Sequence, residues 1–112
     1  MADSVLLTYD PITGNFAVTY QNVTTSNVTG IAVSNSVSTQ LMAANPNRTQ
    51  AIIFNGAAQN MYVKLGTGCA NNSFTYFLPT RTSVVITGWQ GPIHALLASG
   101  AGFAFDTELS YP

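Results

Sequence analysis

The segment Thr49-Gln50-Ala51-Ile52-Ile53-Phe54-Asn55-Gly56 decides the fold class. It joins a run of β-branched and aromatic residues to Asn-Gly, a dipeptide typical of tight turns between antiparallel strands. No stretch of the chain carries an apolar stripe at helical spacing without Gly, Pro or Asn interrupting it. Further short β-rich runs, bounded by turn residues, follow at 60–65, 72–78, 82–87, 93–98 and 101–107. This pattern predicts an all-β fold: an antiparallel β-sandwich, or jelly-roll-like, single domain with an extended N-terminal arm.

Individual runs carry more specific predictions. In 72–78, Phe74, Tyr76 and Leu78 recur at a period of two, which predicts a half-buried strand. The run 82–87 is short and continuously apolar at its centre, which predicts a strand covered on both faces. Residues 94–98 form the most helix-like stretch, but five residues make only a marginal helix.

The first 40 residues differ in character from the rest. Runs at 5–9 and 15–20 flank the segment Asp10–Gly14, whose Pro11 and Gly14 suit a turn. They predict a hairpin, or an arm that pairs with a neighbour. Residues 21–40 hold no charge and are rich in Asn, Ser and Thr, which indicates exposed strands with one thinly apolar face. We therefore divide the chain into an N-terminal arm with polar strands, 1–40, and a sandwich core module, 41–112.

Charge is scarce along the whole chain. Only 6% of the 112 residues are charged and the formal net charge is −1, against about 25% charged residues in ordinary soluble domains. Three scattered cations cannot neutralise a phosphate backbone, so we expect no nucleic-acid partner. We also expect no membrane span and no signal peptide, because the apolar runs are short and no basic segment precedes one. A weakly charged surface favours association, which predicts an oligomer or a docked subunit.

Candidate catalytic groups are few. Asp106 and Glu108 can share one strand face, as a carboxylate pair for glycoside hydrolysis would require, but the favoured interpretation is a solvated strand end. His94 has no second histidine to complete a metal site, and we expect a hydrogen-bonded strand histidine. Cys69 is the single cysteine, so it forms no internal disulfide, and we expect a neutral thiol filling space. The sequence predicts no enzyme, no cofactor and no metal.

Aromatic residues offer the remaining candidates for binding. Trp89 stands in a turn cluster between Gly88 and Gly91, and the favoured interpretation is that its ring covers one end of the core. Trp and Tyr are also common anchors of protein interfaces, which leaves an assembly role open. A third interpretation is a carbohydrate platform, formed by Trp89 with Tyr62, Phe74 and Tyr76.

The chain after residue 40 resembles small virion proteins of tailed bacteriophages. The resemblance lies in five segments: Leu41-Met42-Ala43-Ala44-Asn45-Pro46-Asn47-Arg48-Thr49-Gln50-Ala51-Ile52-Ile53-Phe54-Asn55, Met61-Tyr62-Val63-Lys64-Leu65-Gly66, Ser73-Phe74-Thr75-Tyr76-Phe77-Leu78, Thr87-Gly88-Trp89-Gln90-Gly91-Pro92-Ile93-His94-Ala95-Leu96 and Ala98-Ser99-Gly100-Ala101-Gly102. It implies a β-sandwich module of the capsid decoration, or cement, type, often a trimer, although some such modules belong to tails or fibres. The first 40 residues do not follow that pattern, and Thr49 and Gln50 stand where a charged residue is usual.

Taken together, the resemblance and the composition predict a phage virion structural protein on the capsid exterior. We expect a cement subunit, homotrimeric, that binds the major capsid protein lattice and stabilises the head. The candidate partner-binding residues are the apolar arm residues Val5, Leu6, Leu7 and Tyr9, together with Trp89. The alternative is a tail or fibre component that binds host surface glycan, which predicts an exposed aromatic platform near Trp89.

Overall fold

A computed structural model describes residues 3–10, 15–22 and 25–111, with side chains from residue 26 onwards. All the regular structure in these ranges is β-strand. The ten strands are β1 (Asp3–Asp10), β2 (Asn15–Asn22), β3 (Thr25–Ser34), β4 (Thr39–Met42), β5 (Arg48–Asn55), β6 (Met61–Leu65), β7 (Tyr76–Leu78), β8 (Ser83–Thr87), β9 (Ile93–Leu97) and β10 (Ala101–Ser110). The all-β prediction is confirmed.

The eight strands from β3 onwards form one ribbon folded back on itself between β6 and β7. From that bend outwards, β6 pairs with β7, β5 with β8, β4 with β9 and β3 with β10, each pair antiparallel. Additional ladders between β10 and β5, and between β9 and β6, join these pairs into two four-stranded sheets. Their orders are β3-β10-β5-β8, the first sheet, and β4-β9-β6-β7, the second sheet. Two sheets built from one folded ribbon in this way make a jelly-roll sandwich, as predicted.

The core lies between the two sheets and is built mainly by alternation along the central strands β5, β6 and β9. Ile53 of β5 faces Met61 and Val63 of β6 and Ile93 and Leu97 of β9 across the sandwich, and all five are at most 1% exposed. Because successive strand side chains point to opposite faces, each of these strands gives every second residue to the core. These large apolar side chains therefore fix which face of each strand is inside.

Three strand predictions need correction. The strand predicted over 72–78 begins only at Tyr76, because Ala70 and Ser73 close a tight turn through reciprocal backbone hydrogen bonds of 2.9 and 3.0 Å. The strand β8 is covered on one face only, since Val85 is 56% exposed while Ile86 is buried. The helix-like residues 94–97 lie in β9, where pairing with both β4 and β6 outweighs a weak local preference.

At the N-terminus, β1 and β2 pair in full antiparallel register from Asp3↔Asn22 to Asp10↔Asn15, which is the predicted hairpin. They form a sheet of their own. The backbone of Val5, Leu6, Leu7 and Tyr9 lies in β1, but their side chains lie outside the described residues. The sandwich includes β3, which precedes the division placed at residue 40, because β3 pairs along its whole length with β10. Within the described ranges, no helix is long and apolar enough to cross a membrane.

Candidate interaction surface

The solvent side of the first sheet carries no charge and combines large apolar side chains with a few small or uncharged polar ones, such as Gln50, Ser83 and Thr87. Register places Val28 of β3, Phe103 and Phe105 of β10, Phe54 of β5 and Val85 of β8 on this side. Val28, Phe103, Phe105 and Val85 are between 45% and 66% exposed. We call the outward-pointing residues of β3, β10, β5 and β8 the outer face. Contiguous exposed apolar area of this kind marks interaction sites in soluble proteins.

Phe105 is held in place although it is exposed. Gly30 pairs with it from β3, and a Cβ placed on Gly56 would lie 2.5 Å from the Phe105 ring. The ring therefore covers two positions that have no side chain. Phe54 and Phe103 flank it, each with its ring centroid 6.5 Å away. An aromatic group restrained in this way loses little conformational entropy when a partner covers it.

No charged residue belongs to the outer face. Arg48, Asp106 and Glu108 belong to strands of the first sheet but lie on its core side or at its end. Lys64 lies on the second sheet and donates a 2.7 Å hydrogen bond to Ser73 Oγ. Arg81 lies in the exposed turn before β8. A partner can therefore cover the outer face without desolvating an ion, which would cost several kcal/mol.

Arg48 is the hub of a buried polar network at the start of β5. Its side chain is 0% exposed, and its Nε donates to Glu108 Oε2 at 2.8 Å. Its two terminal nitrogens donate to the backbone carbonyls of Trp89, Gly91 and Ala43. The guanidinium thus ties β5 to β10 and to the segments that follow β8 and β4. The sequence did not predict this role of Arg48. Its only signal is an arginine placed directly after the Asn-Pro-Asn turn.

Trp89 is partly buried and packs against the core, as the favoured interpretation predicts. Its Nε1 donates a 2.9 Å hydrogen bond to the carbonyl of Pro92, and its ring lies directly against Gly91. The exposed aromatic residues near the second sheet are Phe74 and Phe77 instead. Tyr62 lies between Phe74 and Phe77, with centroid distances of 4.8 and 5.6 Å. We call Tyr62, Phe74 and Phe77 the second-sheet cluster.

The remaining titratable candidates lie in separate environments in the described part of the chain. His94 Nδ1 lies 3.0 Å from Ser38 Oγ, which also accepts a hydrogen bond from the backbone of Cys69, so His94 is the expected hydrogen-bonded strand histidine. Cys69 is buried, and burial raises the pKa of its thiol from 9.0 to about 11, which keeps it neutral. His94 lies on the outward side of the second sheet, whereas Asp106 faces the interior from the first sheet.

The expectation for the carboxylate pair is wrong in one respect. Asp106 and Glu108 do share one strand face, but that face is the inner one, and Asp106 is only 2% exposed. It is not at a solvated strand end, because β10 continues to Ser110 and lies between β3 and β5. Burial raises the pKa of Asp106 from 3.8 to about 7.

Comparison with known proteins adds no further constraint: no family model, no curated protein and no solved structure matches this chain.

Proposed function

We propose that this protein is a virion structural subunit of the capsid cement type, with no catalytic role. The observation that carries the proposal is the uncharged, apolar outer face, with Phe103 and Phe105 at its centre. Exposing apolar side chains to water is unfavourable in free energy. Covering this face with protein removes that unfavourable contribution. The particular assembly, a phage capsid, is proposed from the resemblance of the sequence after residue 40.

The occupant that we assign to the outer face is a second copy of this chain, within a homotrimer. An interface between copies suits a surface that has no charge to specify a different partner. The strand β8 supports this assignment. It is one of the two edge strands of the first sheet, and an edge strand with an exposed apolar residue such as Val85 invites pairing unless it is covered.

The hairpin of β1 and β2 is the proposed contact with the major capsid protein. It forms a sheet of two strands only, and an isolated two-stranded sheet is marginally stable in water. A capsid subunit that packs against this hairpin would supply the missing stabilisation. The residues proposed for that contact are Val5, Leu6, Leu7 and Tyr9, as the sequence suggests.

The proposed mechanism is passive. A subunit that binds the assembled shell, and not free capsid protein, stabilises the shell by the free energy of its own binding. A trimer engages the lattice through several hairpins at once, so weak individual contacts add to high avidity. No bond is made or broken in this role.

The solution mass tests the outer face. We expect the native protein to sediment as a trimer and Phe103→Asp to sediment as a monomer with an unchanged far-ultraviolet circular dichroism spectrum. Phe77→Asp is the matched control, because Phe77 is similarly exposed but lies on the second sheet. A native protein that stays monomeric at high concentration, or two variants that dissociate equally, would contradict the assignment.

The capsid contact needs a separate measurement. We expect deletion of residues 1–14 to abolish decoration of capsids in electron cryomicroscopy, while the deleted protein remains a trimer. Full occupancy by the deleted protein would rule out the hairpin as the docking element. Density for the protein on the tail alone would rule out the cement function.

One observation favours a second function, glycan binding as part of a tail or fibre. In the second-sheet cluster, Phe74 and Phe77 are 41% and 48% exposed, and the ammonium group of Lys64 is hydrogen-bonded to Ser73, the residue before Phe74. Aromatic rings beside polar groups can bind sugar rings. Binding of the isolated protein to a glycan array, lost in Phe77→Ala and retained in Phe103→Ala, would support this function over the cement role. Trp89, whose ring packs on the core, would then act only indirectly.

A further inference from the structure

A cavity opens on the side of the sandwich where β3 and β4, one edge strand from each sheet, lie next to each other. Its volume is about 170 Å³. Leu41 and Met42 of β4 form its apolar wall, and the opposite wall is made by polar side chains of β3 and β10. The cavity is separate from the outer face, because these polar residues lie on the core side of the first sheet.

The polar wall is a set of four oxygen-bearing side chains. Register pairs Asp106 with Thr29, and Glu108 with Asn27, so the two pairs lie one above the other on the same face. Directly opposed residues of an antiparallel pair have Cβ atoms about 5 Å apart, and residues two apart on a strand are separated by about 7 Å. Four oxygen-bearing side chains therefore line one wall of the cavity, at spacings that leave room for an ion between them.

Asp106 is the group within this set that requires a partner. It is 2% exposed, and neither of its carboxylate oxygens has a hydrogen-bond partner among the described residues. Buried polar groups are almost always partnered, and a buried carboxylate without a partner is costly.

One of the two carboxylate oxygens of Glu108 already has a hydrogen-bond partner. Its Oε2 accepts the 2.8 Å hydrogen bond from Arg48 Nε, and the terminal nitrogens of Arg48 donate to backbone carbonyls instead. The other oxygen, Oε1, is left for a ligand. With both carboxylates ionised, the site offers two negative charges against one guanidinium, and this excess of negative charge attracts a cation.

We propose that this cavity is a calcium site, with Asp106 and Glu108 as the charged ligands and Asn27 and Thr29 as neutral oxygen ligands. The donor chemistry selects a hard cation, because all four groups bind through oxygen and neither Cys69 nor His94 lines the cavity. In the described part of the chain, no three His, Cys, Asp or Glu residues are grouped so that they could hold a metal ion by themselves, so the proposed site depends on the neutral oxygens of Asn27 and Thr29 as well. Ca²⁺ tolerates irregular oxygen coordination completed by water, whereas Mg²⁺ demands near-octahedral geometry.

The consequence of binding would be a stronger sandwich edge. The ion would join β3 and β10 to each other next to β4, where the two sheets meet without a connecting ladder. With only two carboxylates, one of them shared with Arg48, we expect a dissociation constant of about 10⁻⁴ to 10⁻³ M, as in extracellular calcium modules. At a Ca²⁺ concentration ten times the dissociation constant, the folding equilibrium constant should rise about tenfold.

The test is thermal and urea unfolding of the full chain at pH 8, first in chelator and then in CaCl₂, with NaCl at matched ionic strength. We expect Ca²⁺ to raise the melting temperature and NaCl not to do so. Asp106→Asn should abolish the stabilisation by Ca²⁺. The fold should be preserved, because asparagine has nearly the same shape as aspartate. Asn27→Ala, an exposed change, should weaken the response, whereas the control Asn72→Ala, in the turn after Cys69, should keep it.

Three results would overturn the proposal. The first is a native protein whose stability does not change between chelator and millimolar Ca²⁺. The second is an Asp106→Asn variant that responds as fully as the native protein. The third is a response to MgCl₂ equal to or larger than the response to CaCl₂, which would reject calcium as the ion. None of these results depends on whether the protein forms a trimer or binds a capsid.

Discussion

Asp106 should make the free energy of unfolding fall as the pH rises, which is the opposite of what an ion-paired surface carboxylate does. Burial raises its pKa from 3.8 to about 7 in the folded state. Between these two values the folded chain holds a proton that the unfolded chain has released. Stability therefore falls as the pH rises through this interval, because the folded state binds more protons than the unfolded state.

The magnitude follows from the size of the shift. Each unit of pKa difference corresponds to about 1.4 kcal/mol, so a rise from 3.8 to about 7 gives a loss of about 4 kcal/mol between pH 4 and pH 8. The loss should level off above pH 8, where the carboxylate is ionised in both states. This loss is a large fraction of the stability of a domain of this size.

The assay is urea unfolding of the native protein and Asp106→Asn, in chelator, at half-unit steps from pH 4 to pH 8.5. Every other titrating group, including Glu108, His94 and the two acidic residues of the N-terminal hairpin, is common to both proteins. The difference between the two curves therefore isolates Asp106. We expect the variant to match the native protein near pH 4 and to exceed its stability at pH 8. Parallel curves over the whole range would refute the reasoning.

Three further changes probe the buried polar groups. Arg48→Met should cost about 3–5 kcal/mol in urea unfolding, because it leaves a carboxylate and three carbonyls without a donor, while Arg81→Ala in an exposed turn should change stability by less than about 0.5 kcal/mol. Asn55→Ala should cost about 2–4 kcal/mol, since this fully buried amide bonds three backbone groups, and Asn72→Ala is its exposed control. Cys69, whose pKa is raised to about 11, should resist a disulfide reagent at pH 8 until urea unfolds the chain, and rapid labelling of the folded protein would contradict this.

Local sequence patterns were sufficient to predict where the strands lie, but not to predict which of their side chains are buried. The run at 49–54 and the turn at Asn55-Gly56 predict β5 almost to the residue. The same dipeptide gives no indication that Asn55 is buried. Its side chain forms hydrogen bonds with backbone groups of Gln59, Leu78 and Ala57. Residue type indicates a turn at this position, but only the packing of two other segments around it makes the amide an interior group.

The candidate site shows the same division. Sequence alone found that Asp106 and Glu108 share a face, because they are two apart on a strand. It did not find that this face is the inner one, since aspartate and glutamate are normally exposed. The prediction of a solvated strand end therefore followed the usual behaviour of the residue type, and the pairing of β10 between β3 and β5 overrode it.

The sequence by itself determined the all-β class, the positions of most strands and the scarcity of charge, because each of these depends on local composition and a period of two. The tertiary structure decided which side of each strand faces inward, and β10 shows why. Hydrophobicity would turn Phe103 and Phe105 inward, yet Gly102, Ala104 and Asp106 take the inner positions. A Cβ on Gly102 would lie 2.5 Å from that of Ala57, so the space between the sheets accepts no large side chain there. The phenylalanines lie outside for that reason, and the apolar outer face is the result.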